Sequence, residues 1–141
     1  MKILLDTHCW LWWFLSEERL GDEAKKRIAD PDNVIYFSAA SAWEISIKVG
    51  LGKLELPMEP ERYIPRRLAD QGMVPLAVEL EHTLRLHRLP HLHRDPFDRL
   101  LVAQAQAERL TLATADPQIL AYDVDVLWAA REPRPKGKRR S

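Results

Sequence analysis

The stretch "LPHLHRDPFDRLLVAQAQAERLTLATAD" (residues 89–116) contains a helix start, a helix and a strand in close succession. Asp95 is suited to cap the helix, and Pro96 fits its first position. Phe97, Leu100 and Leu101 then follow the i, i+3, i+4 spacing of a helix that packs against a sheet. The apolar run "LTLAT" (110–114) has the composition of a buried strand. The stretch therefore predicts a helix–strand unit of an α/β fold.

Similar units extend in both directions along the chain. Further strands are predicted at "KILL" (2–5), "VIYF" (34–37), "MVPLAV" (73–78) and "VDVLW" (124–128). Most are continuously apolar, as strands covered on both faces are, while Pro75 favours a sheet edge for the third strand along the chain. Helical stretches separate the strands, and Ser38 is a predicted helix N-cap. The pattern predicts a three-layer α/β fold with a mainly parallel sheet of about five strands.

Composition indicates one globular domain in a reducing compartment. The 141 residues are 46% hydrophobic and 30% charged, which suits a single packed core. The only cysteine, Cys9, excludes an intrachain disulfide framework. The apolar run from Cys9 to Leu15 is far shorter than the ~20 residues that span a bilayer. We therefore expect a cytoplasmic protein without a membrane segment.

Charge is distributed unevenly, although the formal net charge is zero. The segment "REPRPKGKRRS" (131–141) holds six Lys or Arg and one Glu, a net charge of +5, which leaves −5 on residues 1–130. We predict a domain over 1–130 and a basic, disordered tail over 131–141. The tail suits a solubilising end, an arm that touches nucleic acid, or a sequence added by cloning.

Acidic residues are predicted to meet at one rim of the sheet. Asp6 follows the first strand and Asp116 follows "LTLAT", while Asp95 and Asp98 begin a helix and Glu44 lies early in another. Each acid also has a purely structural explanation. Asp95 and Asp116 can cap helices, Asp98 can favour a helix dipole, Asp6 can end a strand in a turn, and Glu44 can pair with Lys48.

Taken together, these acids predict a cation site. Carboxylates at one rim repel one another and raise one another's pKa unless a cation lies between them. Oxygen-only ligands suit Mg²⁺ or Mn²⁺, and Mg²⁺ usually binds substrate phosphates as well. The pattern thus indicates metal-dependent phosphoryl chemistry, with hydrolysis as the expected reaction.

Four motifs carry a family resemblance: "LLDTHCWLWW", "FSAASAWEISIKVGLGKLEL", "LPHLHRDPFDRLLVAQA" and "LATADPQI". With the final "YDVDVLWA", they resemble PIN-domain ribonucleases over about residues 1–130, and most closely the VapC-type toxins of bacterial type II toxin–antitoxin systems. The resemblance implies a Rossmann-like PIN fold and an endoribonuclease that uses one or two Mg²⁺ or Mn²⁺ ions. It also implies an RNA substrate such as tRNA or rRNA, a cognate antitoxin and a homodimer.

The resemblance assigns catalytic and metal-binding roles to four acids, Asp6, Glu44, Asp98 and Asp116, and leaves Asp95 as a cap or auxiliary acid. The residues themselves suggest further roles. Ser38 and Thr114 could orient a carboxylate or a metal-bound water, besides their structural alternatives. Arg94 and Arg99 are candidate phosphate contacts, and His91 and His93 could also touch phosphate. His91 and His93 lie in a loop beside Pro90, where we expect exposed side chains rather than metal ligands.

Other functions remain open from the sequence. A PIN nuclease of RNA processing outside a toxin–antitoxin pair, or a metal-dependent phosphoesterase, would use the same rim. A phosphatase usually needs a second acid two residues after its nucleophilic aspartate, and "DTH" (6–8) supplies none. A receiver-like regulatory module would need a lysine in "LATADPQI", which has none. A PIN scaffold for protein interaction would not need the intact acids.

Overall fold

The computed structural model describes residues 1–136 and contains a five-stranded, fully parallel sheet in the order β3-β2-β1-β4-β5. This confirms the predicted α/β class and the five predicted strands. Their bounds are β1 Lys2–Leu5, β2 Val34–Ser38, β3 Val74–Leu76, β4 Thr111–Thr114 and β5 Val126–Trp128.

Within the described residues, six α-helices connect the strands and cover the sheet: α1 Thr7–Leu15, α2 Asp22–Ala29, α3 Ala39–Gly50, α4 Pro60–Gln71, α5 Leu80–Arg85 and α6 Pro96–Glu108. Short 3-10 turns lie at Glu17–Arg19, Leu86–Arg88 and Pro117–Ala121. The N-caps are those that the sequence predicts for α3 and α6: the Ser38 hydroxyl accepts from the Ala40 amide, and Asp95 accepts from the amides of Phe97 and Asp98. Asp6 caps α1 by accepting from the Cys9 amide.

In residues 1–136, the sheet separates two hydrophobic cores, which explains the continuous apolar runs. Successive residues of a strand point to opposite faces. Ile3 and Leu5 accordingly lie in one core, whereas Leu4 lies in the other, and all three are fully buried. The first core also receives Trp10 of α1 and the second Leu101 of α6. Helices therefore cover both faces, as the three-layer prediction requires.

The strand order creates a topological switch point between β1 and β4. The chain builds β1, β2 and β3 outward in one direction, then returns to the other side of β1 for β4. Ligands of such sheets bind beyond the carboxyl ends of the strands at this point. Strand β3 is an edge strand that contains Pro75, which confirms the position predicted for that residue.

The C-terminal segment remains in contact with the domain as far as Glu132. Leu20 forms an antiparallel bridge with Ala130, and the Arg131 amide donates to the carbonyl of Arg19. A Cβ atom at Gly21 would lie 2.9 Å from the Ala130 carbonyl oxygen, so this close approach requires glycine. The remainder of the predicted tail, 137–141, lies outside the described residues, and its disorder stays a prediction. Within 1–136, no helix has both the length and the apolar character needed to cross a membrane.

Candidate metal site

The four predicted acids and Asp95 converge at the switch point. The pKa of Asp98 shows this most clearly, since it is raised to about 8, first by burial and then by the charges of Asp95, Asp6, Asp116 and Glu44. Four separate segments of the chain supply these carboxylates: the end of β1, α3, the start of α6 and the turn after β4. Their mutual repulsion is the electrostatic state that a bound cation would relieve.

Asp6 is held rigidly at the centre of the rim. Its side chain is buried, and Oδ1 accepts from the Cys9 amide at 2.8 Å. Burial raises the pKa of Asp6, while hydrogen bonds from Thr114 and Cys9 act in the opposite direction. The Thr114 hydroxyl also accepts from the Asp116 amide at 3.0 Å. Thr114 thus contacts two of the acidic residues, and the orienting role that the sequence suggests for it stays a prediction.

The two carboxylate oxygens of Glu44 have different surroundings. The predicted pair with Lys48 is present, with Nζ 2.7 Å from Oε2. The residue is only 3% exposed, however, and its other oxygen, Oε1, is buried without a hydrogen-bond partner among residues 1–136. A buried carboxylate oxygen without a donor is costly. Oε1 is thus an acceptor that no described residue satisfies.

His93 was predicted to be exposed, and this prediction is wrong. Its side chain is only 9% exposed, and Nε2 lies 2.7 Å from Asp116 Oδ2 and 3.1 Å from Asp98 Oδ2. Burial follows from the loop, because the amides of Leu92 and His93 both donate to the buried hydroxyl of Tyr122. The available signal was position: His93 lies two residues before the N-cap Asp95, where a side chain can fold back over the first helical turn. His91 is exposed, as predicted.

The other suggested residues have mixed outcomes. Ser38 is a cap whose hydroxyl donates to Gln104, so its geometry supports the structural role rather than contact with an acid. Arg99 donates from Nη2 to the carbonyls of Leu86 and Leu89, which ties its guanidinium to the preceding loop. Arg94 is exposed and lines the groove beside the acids.

An open groove of about 1170 Å³ runs beside the acids. Its lining includes Glu44 and Asp95 on the acidic side and the cationic Lys48 and Arg94. A phosphodiester chain is negatively charged, and the lining offers it basic groups next to Glu44 of the acidic rim.

Tryptophans divide between core and surface. Trp10 is fully buried against Phe37, with ring centroids 4.6 Å apart, whereas Trp12 and Trp13 are half-buried at the edge of that core. Sequence reasoning missed Trp43, which is 61% exposed and packs edge-to-face on Phe97 at 5.0 Å beside the groove. An aromatic residue next to Glu44 was the only signal for it.

The donor set fits a hard divalent cation. The converging side chains offer carboxylate oxygens, and Oε1 of Glu44 has no hydrogen-bond donor among residues 1–136. Burial and the neighbouring acids raise the pKa of Asp98. Mg²⁺ and Mn²⁺ prefer such oxygen ligands. The fold and site thus define an α/β protein with an acidic, metal-type centre at the switch point of a parallel sheet.

Comparison with known proteins gives the family. The PIN domain family profile matches residues 3–125, so this chain belongs to the PIN domain family. The resemblance that the motifs carry is confirmed at this level. The chain is also 44% identical, over 62 residues, to Ribonuclease VapC16 of Mycobacterium tuberculosis. That match covers 44% of this chain and 44% of the relative, less than half of either length.

Solved structures share the fold. A structure of VapBC2 from Rickettsia felis bound to a promoter DNA fragment is similar with a TM-score of 0.69 and 15% identity, over 92% of this chain and 99% of that one. VapBC-1 from nontypeable Haemophilus influenzae is similar with a TM-score of 0.58 and 16% identity, over 90% and 97%. At these identities the likeness concerns the fold alone.

Proposed function

We propose that this protein is an Mg²⁺- or Mn²⁺-dependent endoribonuclease that acts as the toxin of a type II toxin–antitoxin pair. The observation that carries the nuclease proposal is the convergence of Asp6, Glu44, Asp98 and Asp116 on one rim, with the pKa of Asp98 raised to about 8. Such a cluster stabilises neither the fold nor an anionic ligand by itself, but it does suit a divalent cation.

The four acids would hold one or two ions, and Thr114 would keep Asp6 and Asp116 in place. A bound cation supplies an acidified water nucleophile and compensates the negative charge that develops on the phosphate. Lys48 and Arg94 line the groove beside this centre, where they can contact neighbouring phosphates of the RNA chain.

The comparisons support RNA and an antitoxin as partners. The curated relative is named a ribonuclease, and a neighbour from Klebsiella pneumoniae is described as a toxin–antitoxin complex (TM-score 0.56, 19% identity, over 89% of this chain and 96% of that one). We accordingly propose that a cognate antitoxin inhibits the protein, that it acts in the cytoplasm, and that it forms a homodimer. tRNA and rRNA are the substrates we would test first.

RNA cleavage is expected to require a divalent cation. Purified protein incubated with structured RNA should produce discrete fragments in Mn²⁺ or Mg²⁺, and none in excess EDTA, because without the cation the acids repel the substrate. Fragments are separated on a denaturing gel, and activity should return when Mn²⁺ exceeds the chelator. Cleavage that continues unchanged in EDTA would contradict a metal-dependent nuclease.

Expression alone is expected to arrest bacterial growth, and co-expression of the cognate antitoxin should restore it. The measurement is culture density after induction, with the Asp6→Asn variant as the matched control for the burden of expression. Growth arrest by wild type but not by the variant supports the toxin role. Unimpeded growth with active, soluble nuclease present would instead favour an RNA-processing enzyme outside a toxin–antitoxin pair.

A further inference from the structure

His93 contacts two acids of the acidic centre, and none of the preceding assignments gives it a role. Its Nε2 lies within hydrogen-bond distance of both Asp116 Oδ2 (2.7 Å) and Asp98 Oδ2 (3.1 Å). Ligand atoms of these three residues all lie within 4.8 Å of one another, a spacing that a metal ion could also occupy. Two roles are therefore geometrically available: His93 can ligate the cation, or it can donate to the carboxylates.

The other ring nitrogen decides between these roles. The Asp95 amide donates to His93 Nδ1 at 3.1 Å, so Nδ1 presents a lone pair and carries no proton. With Nδ1 as an acceptor, the N–H of the ring is on Nε2, which faces Asp98 and Asp116. Nε2 has no lone pair left for a cation in this tautomer, and the lone pair of Nδ1 already accepts from Asp95.

The surrounding structure holds the ring in this orientation. The Tyr122 hydroxyl accepts from the amides of Leu92 (3.2 Å) and His93 (3.0 Å), which fixes the backbone of the loop. Asp95, which aligns the ring through its amide, is itself fixed as the N-cap of α6. Asp116 is held from its other side, because Oδ1 accepts from the Gln118 amide at 2.9 Å.

We infer that His93 is a positioning residue: its Nε2–H donates to Asp116 and lies against Asp98, so it holds the two carboxylates in place as cation ligands and leaves a donor set of oxygen alone. The inference rests on the proposed metal-dependent function and deepens it. Hydrogen bonds to ligating carboxylates orient them, and their removal typically costs 10–100-fold in metal affinity or activity.

Mn²⁺ binding tests the inference without reference to activity. The free ion is measured by electron paramagnetic resonance as Mn²⁺ is added to wild type, His93→Ala, His93→Gln and His91→Ala. We expect His93→Ala to bind about 10–100-fold more weakly. Glutamine can place an amide N–H near the position of Nε2, so His93→Gln should stay within a few-fold of wild type. His91→Ala, an exposed residue of the same groove, is the matched control and should match wild type.

Pulsed electron paramagnetic resonance of the bound Mn²⁺ distinguishes a His93 that positions the carboxylates from a His93 that ligates the ion. Wild type should lack the nitrogen coupling of a directly bound imidazole; a clear coupling that disappears in His93→Ala would overturn the inference. Equal or tighter Mn²⁺ binding by His93→Ala would overturn it too. If His93→Ala does not fold, Tyr122→Phe provides the test, because loss of the hydroxyl frees the loop and should weaken Mn²⁺ binding. Absence of binding by wild type would instead refute the proposed function, and the inference with it.

Discussion

The Asp6→Asn variant is expected to lose metal-dependent RNA cleavage by at least about 100-fold while keeping its fold. Asn is as good an N-cap as Asp, so the hydrogen bond from the Cys9 amide and the start of α1 should persist. The variant loses the buried carboxylate at the centre of the rim. Replacing a residue that only orients a metal ligand typically lowers activity 10–100-fold, and replacing the ligand itself should lower it further. Initial rates of cleavage in Mn²⁺ measure the effect.

Asp70→Asn is the matched control for this experiment. Asp70 has the same side chain but is 55% exposed, on α4, where it pairs with Arg67 away from the acidic rim. Its replacement should leave the rate unchanged. If Asp6→Asn cleaves RNA as fast as wild type, and that cleavage still stops in EDTA, then the active nuclease does not use this rim.

The Asp98→Asn variant is expected to be more stable than wild type when metal is absent and pH is near neutral. The ordinary pKa of Asp98 is 3.8, but in the folded protein it is about 8. Between these values the folded chain retains a proton that the unfolded chain releases, so stability falls as pH rises from about 4 to about 8. Above this window the whole penalty applies, whereas Asn carries no charge and has no such penalty.

Two opposing contributions to the free energy of unfolding decide whether Asp98→Asn is stabilising. A pKa difference of one between the folded and unfolded states corresponds to about 1.4 kcal/mol, so relief at pH 7 should reach at least about 1 kcal/mol even if neighbouring acids adjust. Loss of the helix-dipole interaction costs only about 0.3–1 kcal/mol. Thermal denaturation in EDTA and low salt should therefore give a higher Tm for Asp98→Asn at pH 7, with an advantage that shrinks toward pH 4.

Asp22→Asn is the control that isolates the dipole contribution. Asp22 is also an acid in the first turn of a helix, but it is exposed on α2 and does not contribute to the raised pKa of Asp98. Its replacement should lower the Tm slightly at pH 7. A similar decrease for Asp98→Asn would mean that Asp98 is simply a helix-start residue.

Much of the fold could be predicted because its signals are local. Continuous apolar runs identified all five strands, and Pro75 identified the edge, since proline cannot donate to a neighbouring strand. Ser38 and Asp95 marked the starts of α3 and α6. The convergence of the acids also followed from local sequence, because the carboxyl ends of parallel strands meet at one rim. By contrast, the interior Pro65 removes a helical hydrogen bond, which concealed α4.

The missed features depend on partners distant in sequence. His93 reaches the acids because Tyr122, 29 residues further along, holds its loop. Arg99 donates from Nη2 to the carbonyls of Leu86 and Leu89, contacts that no local pattern specifies. Trp43 looked like one more apolar residue of α3, and its exposure depends on which face of that helix meets the sheet.

Calorimetric titration of the metal-free protein with Mn²⁺ is the most direct test that the acids form one cation site. Wild type should bind one or two ions saturably. Asp98→Asn should bind Mn²⁺ at least about 10-fold more weakly, because it lacks one of the negatively charged ligands of the cation. The account is contradicted if wild type binds no Mn²⁺, or if Asp98→Asn binds the same number of ions with the same affinity.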